Sequence, residues 1–186
     1  MAKFEVTETA IPDVRIIQPR AFEDARGYFM ETYTQSELEP LGVGMSFIQD
    51  NQSLSKDAGT LRGLHYQLPP FAQDKLVRCI RGRIWDVAVD IRRGSPTFLK
   101  WVGVELSAEN RRQLLVPIGF AHAFLTLEPD TEVVYKVSAG YSPAHDRGIV
   151  WNDATIGIDW PLSLQRPFLS AKDEALPRLD DAILFD

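Results

Sequence analysis

Twelve glycines and twelve prolines are scattered along the whole chain. They cut it into apolar or alternating runs too short for helices of ordinary length. Runs of roughly four to eight residues bounded by turn residues suit strands, and no sustained amphipathic helical pattern occurs before residue 160. The strand-like runs are Phe4 to Val6, Val14 to Ile17, Gly27 to Tyr33, Met45 to Gln49, Lys75 to Ile80, Ile84 to Ile91, Trp101 to Leu106, Gln113 to Val116, Ala121 to Leu127 and Glu132 to Val137. Arg81-Gly82 and Pro117-Ile118-Gly119 supply turns between them. Ser36 to Glu39 suits a single helical turn, stopped by Pro40 and Gly42. A short helix fits Ala171 to Ala175 in a tail that is loop-rich from Pro161 onward. Strands this closely spaced favour an all-β fold, a sandwich or jelly roll. With no repeat and no visible linker, residues 1–186 are expected to form one domain, the tail packed on the same core.

Composition narrows the function. A chain that is 45% hydrophobic and 25% charged can build a sizeable core and is not a disordered polymer. A net charge of -6 and a pI near 5.1 argue against a broad nucleic-acid surface, yet leave room for a local basic pocket that takes a phosphate. Cys79 stands alone, so no intrachain disulfide can form, and a free thiol suits the cytosol. The start carries Lys3, Glu5, Glu8 and Asp13 and has no signal-peptide pattern. No apolar run approaches the ~20 residues of a membrane helix. The expectation is a soluble cytoplasmic protein without nucleic-acid or membrane partners.

The chemistry is concentrated in Leu61-Arg62-Gly63-Leu64-His65-Tyr66-Gln67, with Lys75 shortly after. Imidazole is the side chain whose ordinary pKa lies nearest neutrality, and the chain has only His65, His122 and His145. In a strand, Gly63, His65 and Gln67 face one way and Leu64 and Tyr66 the other. His65 between Arg62 and Lys75 reads as a base beside an anion site; a histidine satisfied by backbone groups is the alternative. His122 shares a strand face with Phe120 and Phe124, as core lining or as a pocket wall. His145, in Ser142-Pro143-Ala144-His145-Asp146, reads as an exposed loop residue without chemistry. Position 67 is glutamine, so the local spacing offers no histidine pair for a metal, and a metal-independent protein is expected. Asp24 to Gly27 has turn chemistry and suits a hairpin. Gln49-Asp50-Asn51 could be an Asx-type turn. Tyr135 follows Val133-Val134 in a strand that looks buried, where a phenol needs a partner. Lys172-Asp173 reads as a surface pair.

Taken together these motifs resemble one family. Asp24-x-Arg26-Gly27-x-Phe29-x-Glu31, Gln49-Asp50-Asn51, Arg62-Gly63-Leu64-His65, Lys75-Leu76-Val77-Arg78, Pro117-x-Gly119-Phe120-Ala121-His122, Tyr135-Lys136, Tyr141-x-Pro143 and Gly157-Ile158-Asp159-Trp160-Pro161 occur in order. The pattern is similar to that of the dTDP-4-dehydrorhamnose 3,5-epimerase family, dTDP-sugar enzymes of the cupin jelly-roll class. The resemblance implies a homodimeric, cofactor-free epimerase acting on dTDP-4-dehydro-6-deoxy-D-glucose. It makes His65 the base, Tyr135 the proton donor, Lys75 the support for an enolate and Asp173 the partner of the histidine. Contacts to substrate would fall on Arg26, Glu31, Gln49, Asn51, Arg62, His122, Tyr141, Asp146 and Lys172. The chain departs from the family in Ser138-Ala139-Gly140-Tyr141, where Thr-Asp-Tyr-Tyr is common, and in Asp146, where glutamate is usual. Those departures leave a one-carbon epimerase as an alternative. A non-catalytic nucleotide-sugar-binding cupin is a further one, disfavoured by the joint presence of His65, Lys75 and Tyr135.

Overall fold

The structure is a computed structural model that describes residues 2–162 and 166–186. The described residues form β1 (Phe4–Glu8), β2 (Arg15–Pro19), β3 (Phe22–Asp24), β4 (Gly27–Phe29), β5 (Gln49–Ser55), β6 (Leu61–Gln67), β7 (Lys75–Arg81), β8 (Arg83–Asp90), β9 (Trp101–Ser107), β10 (Gln113–Val116), β11 (Phe120–Thr126), β12 (Thr131–Val137) and β13 (Asp146–Gly148). Two one-turn helices accompany them, α1 (Gln35–Leu38) and α2 (Ala171–Glu174). One sheet has the order β1-β2-β10-β7-β12-β5, the other β13-β6-β11-β8-β9, and β3-β4 is a separate hairpin. Neighbouring strands are antiparallel throughout these sheets. The architecture is the all-β jelly-roll sandwich expected from the turn spacing. Among the described residues no helix is long and apolar enough to cross a membrane.

The alternation within strands decides what each layer buries. Val77 and Leu114 of the six-stranded sheet meet Ile84, Ala88, Val104, Phe120 and Phe124 of the five-stranded sheet across the gap. The other face of the five-stranded sheet is apolar too: Leu61, Leu64, Tyr66, Val87, Val89 and Ala123 are covered by Ile149, Ile156, Trp160 and Leu179 from the tail. Central β11 is therefore buried along its whole length, as a strand covered on both faces must be. The tail packs on the outside of this sheet rather than in the gap. The outer face of the six-stranded sheet takes a smaller cover, Leu38 and Val43 on Ile17, Leu76 and Leu115.

Three runs differ from expectation. Only Gly27–Phe29 of the run to Tyr33 is a strand, paired with Phe22–Asp24 across the expected turn. Beyond it Glu31 is drawn to Lys3 and Thr34. Met45 and Phe47 lie over the six-stranded sheet rather than within it, and the strand begins at Gln49. Gln49-Asp50-Asn51 consequently opens β5 instead of making a turn. Asp146, read as the end of a loop, instead opens the edge strand Asp146–Gly148 that pairs with β6. Of the loop-rich tail, residues 163–165 lie outside the described residues.

One glycine is dictated by close approach. Gly63 has φ +120°, and a Cβ there would lie 2.5 Å from the His122 carbonyl oxygen and 2.6 Å from Ala123 Cβ. The β6–β11 register shifts at this point. The shift turns Arg62 toward the gap although it stands an odd number of residues from His65. Gly63→Ala is expected to cost about 2–4 kcal/mol of stability through backbone strain and overpacking. Urea unfolding would register it as a lowered midpoint, and an unchanged midpoint would mean that the two strands can separate at little cost.

Candidate active site

At one end the gap between the sheets is polar and hollow. Two contiguous spaces of about 410 and 270 Å³ share His65, Lys75, Tyr135 and Lys172 in their walls. His65 belongs to the five-stranded sheet, and Lys75 and Tyr135 to the six-stranded sheet. An imidazole and a phenol therefore face one cavity from opposite layers. The register is the reason. On β12, Val133 and Val137 turn into the sandwich, so Tyr135 between them turns inward as well. On β7, Lys75 falls on the face of Val77 and Cys79, which are core. Gln49 and Asn51 line the same cavity from β5, joined by a 2.8 Å hydrogen bond from Gln49 Nε2 to Asn51 Oδ1.

The tail completes the site. Asp173, 4% exposed, comes from α2 and brings Oδ1 to 2.7 Å from His65 Nε2. The two side chains are in direct polar contact. Ser170 caps α2: its Oγ accepts from Asp173 N and donates to Asp173 Oδ2 at 2.6 Å. Burial pushes the Asp173 carboxyl up, but His65, Ser170 and the Gly63 N–H outweigh it and hold the group below the ordinary carboxylate range. Asp173 thus stays an anion beside the imidazole, which leaves Nδ1 as the ring nitrogen free of that carboxylate.

Burial acts in opposite directions on the two groups of the facing sheet. It pushes the Tyr135 phenol above its ordinary value, against the pull of Arg62 and Lys172, so the phenol keeps its proton at neutral pH. It pulls the Lys75 ammonium down to about 8, with Asp86 and Asp146 opposing the fall and Lys172 adding to it. Lys75 Nζ donates to the His65 carbonyl oxygen at 3.3 Å. The result is a cation easily perturbed by charge that develops nearby.

The other expected contacts divide into those brought to the cavity and those held away from it. Arg62 lines it and is steadied by Ser55 Oγ and Leu54 O, each at 3.2 Å. His122 stands directly across the β6–β11 ladder from His65 and also lines it. Lys172, Asp146 and Tyr141 form a rim: Lys172 Nζ pairs with Asp146 Oδ2, which also accepts from Tyr141 Oη at 3.1 Å. The Lys172–Asp173 pair is thus no idle surface pair. Arg26 is held by Asp24 out on the hairpin, and Glu31 by Lys3 and Thr34, so neither reaches the cavity of its own chain. His145 stays in its loop, with Nδ1 2.8 Å from Ser142 Oγ. Among the described residues no group of three or more His, Cys, Asp or Glu is placed to hold a metal ion.

Two participants had been overlooked. One is Ser170, which orients Asp173. The other is Asp86, fully buried on β8, with Oδ1 2.7 Å from His122 Nε2 and Oδ2 without a partner. Its signal was there to be read: a carboxylate inside Ile84-Trp85-Asp86-Val87-Ala88-Val89 must be buried with a charge or a donor beside it.

A buried ammonium of lowered pKa is a cost to the fold. Relative to the unfolded chain, Lys75 binds less proton between about 8 and 10.5. Wild-type stability should therefore rise with pH across that window, and the penalty should be complete below it. Lys75→Met is expected to stabilise the protein by about 1–3 kcal/mol at pH 7, the gain shrinking as pH climbs toward 10.5, while activity is lost. Chemical unfolding across pH tests this; a destabilised variant at pH 7 would show the ammonium to be fully compensated.

Comparison with known proteins identifies the family. The family model described as dTDP-4-dehydrorhamnose 3,5-epimerase matches residues 8–181. A relative of that description from Salmonella typhimurium is 56% identical over 180 residues, covering 96% of this chain and 97% of its own. The Bacillus anthracis enzyme of the same description, solved with TDP and PPi bound, superposes with a TM-score of 0.91 at 53% identity, covering 95% of this chain and 99% of its own. An epimerase from Legionella pneumophila in complex with dTDP-4-keto-L-rhamnose gives 0.90 at 44% identity, covering 95% and 93%.

Proposed function

The chain belongs to the dTDP-4-dehydrorhamnose 3,5-epimerase family, and we propose from that premise how its residues divide the inversion of C3 and C5 of dTDP-4-dehydro-6-deoxy-D-glucose to dTDP-4-dehydro-L-rhamnose. The observation that carries the assignment is the position of His65 and Tyr135 on opposite walls of one cavity.

The C4 ketone acidifies the protons on C3 and C5. His65 removes one of them as general base, and the C–H electron pair moves into an enolate whose negative charge rests on the C4 oxygen. Lys75 lines the same cavity as the two proton carriers and stabilises that oxygen electrostatically. Tyr135 then delivers its phenolic proton to the carbon from the other side, which inverts the centre; a single group would return the proton to the face it left. Asp173 offsets the charge of the imidazolium. Proton exchange with solvent restores both groups, and the cycle repeats at the second carbon. Lys172, Asn51, Gln49, His122, Asp146 and Tyr141 contact the substrate from the cavity wall, and Arg62 grips the diphosphate with the fork geometry of guanidinium. No cofactor enters this scheme.

Proton NMR in heavy water tests the assignment. His65→Ala should abolish deuterium uptake at C3 and C5, and uptake that persists would remove it as base. Tyr135→Phe should block net inversion more than exchange, and equal loss of both would argue against a donor. The count of exchanging positions in wild type also decides the second reading, a one-carbon epimerase, which the open space at Gly140 keeps in view.

Arg26 and Glu31 belong to the same scheme only in a homodimer. The hairpin exposes Phe22 (46%), Tyr28 (53%) and Phe29 (66%), an apolar surface suited to a second copy. Through it one protomer brings Arg26 and Glu31 to its partner's cavity. Phe29→Asp should convert a dimeric mass in light scattering to that of one chain and weaken dTDP binding; a dimer that survives intact would move the interface elsewhere. The domain is the whole span 1–186, since the tail supplies Asp173 to β6, and the buried thiol of Cys79 suits the cytoplasm.

A further inference from the structure

Tyr141 stands at the cavity mouth, 60% exposed, on the connection between β12 and β13. Its neighbours give it little support of their own. Ala139 and Gly140 have no polar side chain, and a Cβ at Gly140 would meet nothing within 4 Å. A loop of such residues would ordinarily sample many conformations.

The backbone on both flanks of Tyr141 is instead tied to one side chain. Gln67, 4% exposed at the end of β6, donates from Nε2 to the Gly140 carbonyl at 3.1 Å and accepts at Oε1 from Ser142 N at 2.7 Å. Its second amide hydrogen goes to the Phe71 carbonyl at 2.6 Å. The carboxamide thus joins the β6–β7 loop to both sides of Tyr141. Gln73 adds a bond from Nε2 to the Ala139 carbonyl at 2.6 Å. We propose that Gln67 is a positioning residue for Tyr141, holding the loop in its ligand-ready form before substrate arrives. Binding then does not have to order the loop, and the saving is expressed as affinity. The proposal rests on the reading of the cavity as a dTDP-sugar site.

Gln67→Met keeps length and apolar bulk but removes all three bonds. It should weaken dTDP binding in calorimetry by roughly tenfold and raise KM by a similar factor, with kcat at saturating substrate little changed. Gln67→Met and Tyr141→Ala should be non-additive, the double variant binding no more weakly than Tyr141→Ala alone. If Gln67→Met does not fold, Gln73→Met on the half-buried partner carries the test, with a smaller loss expected. Unchanged dTDP affinity in whichever of the two folds, a fall confined to kcat, or additive losses in the cycle would overturn the positioning role. Wild type that fails to bind dTDP would instead sink the reading of the cavity, which separates the two failures.

Discussion

The contact between Asp173 and His65 joins the tail to β6, and the cavity's arrangement hangs on it. It brings a second buried carboxylate, besides Asp86, to the polar end of the sandwich. That is tolerable because the carboxylate is met by Ser170, the Gly63 N–H and the imidazole together. A buried carboxylate with fewer partners would take up a proton and lose its hold on the ring. The glycine at 63 then has two consequences: it lets β6 lie against β11, and its amide points at the carboxylate.

The facing sheet obeys the same electrostatics with the opposite outcome for each group. Burial keeps a proton on the Tyr135 oxygen and loosens one on the Lys75 nitrogen. One environment thereby yields a protonated phenol and an ammonium whose charge is only weakly favoured. Asp86 under His122 is the counterweight, a buried negative charge that limits how far the ammonium falls. Neither sheet supplies both groups, since the imidazole comes from one layer and the phenol and ammonium from the other.

Much of this was legible in the sequence. Glycine and proline spacing marks the strands from Lys75 to Val137 almost residue for residue, because those strands alternate cleanly or are covered on both faces. His65 stands out because neutral-range bases are scarce. The misreadings share a cause: local pattern does not reveal what lies above it. Met45 and Phe47 alternate like a strand because they cover a sheet. Gln49-Asp50-Asn51 resembles a turn because a cavity wall inside a sandwich may be polar. The pairing of Asp146–Gly148 with β6 depends on contacts between distant segments, which no window of sequence contains, whereas Asp86 was marked by its apolar strand and only its partner, His122, was hidden. Asp173 was reached through resemblance rather than pattern, since a Lys-Asp dipeptide in a tail looks solvated until the tail is seen packed.

The tail has one further consequence. The residues that shield the outer face of the five-stranded sheet, Trp160 and Leu179 among them, flank the segment that delivers Asp173. During synthesis His65, Lys75 and Tyr135 all emerge before Asp173, and until the tail follows a large apolar face is bare. One segment thus shields the outer face and sets the carboxylate beside the imidazole, so the two features arrive together.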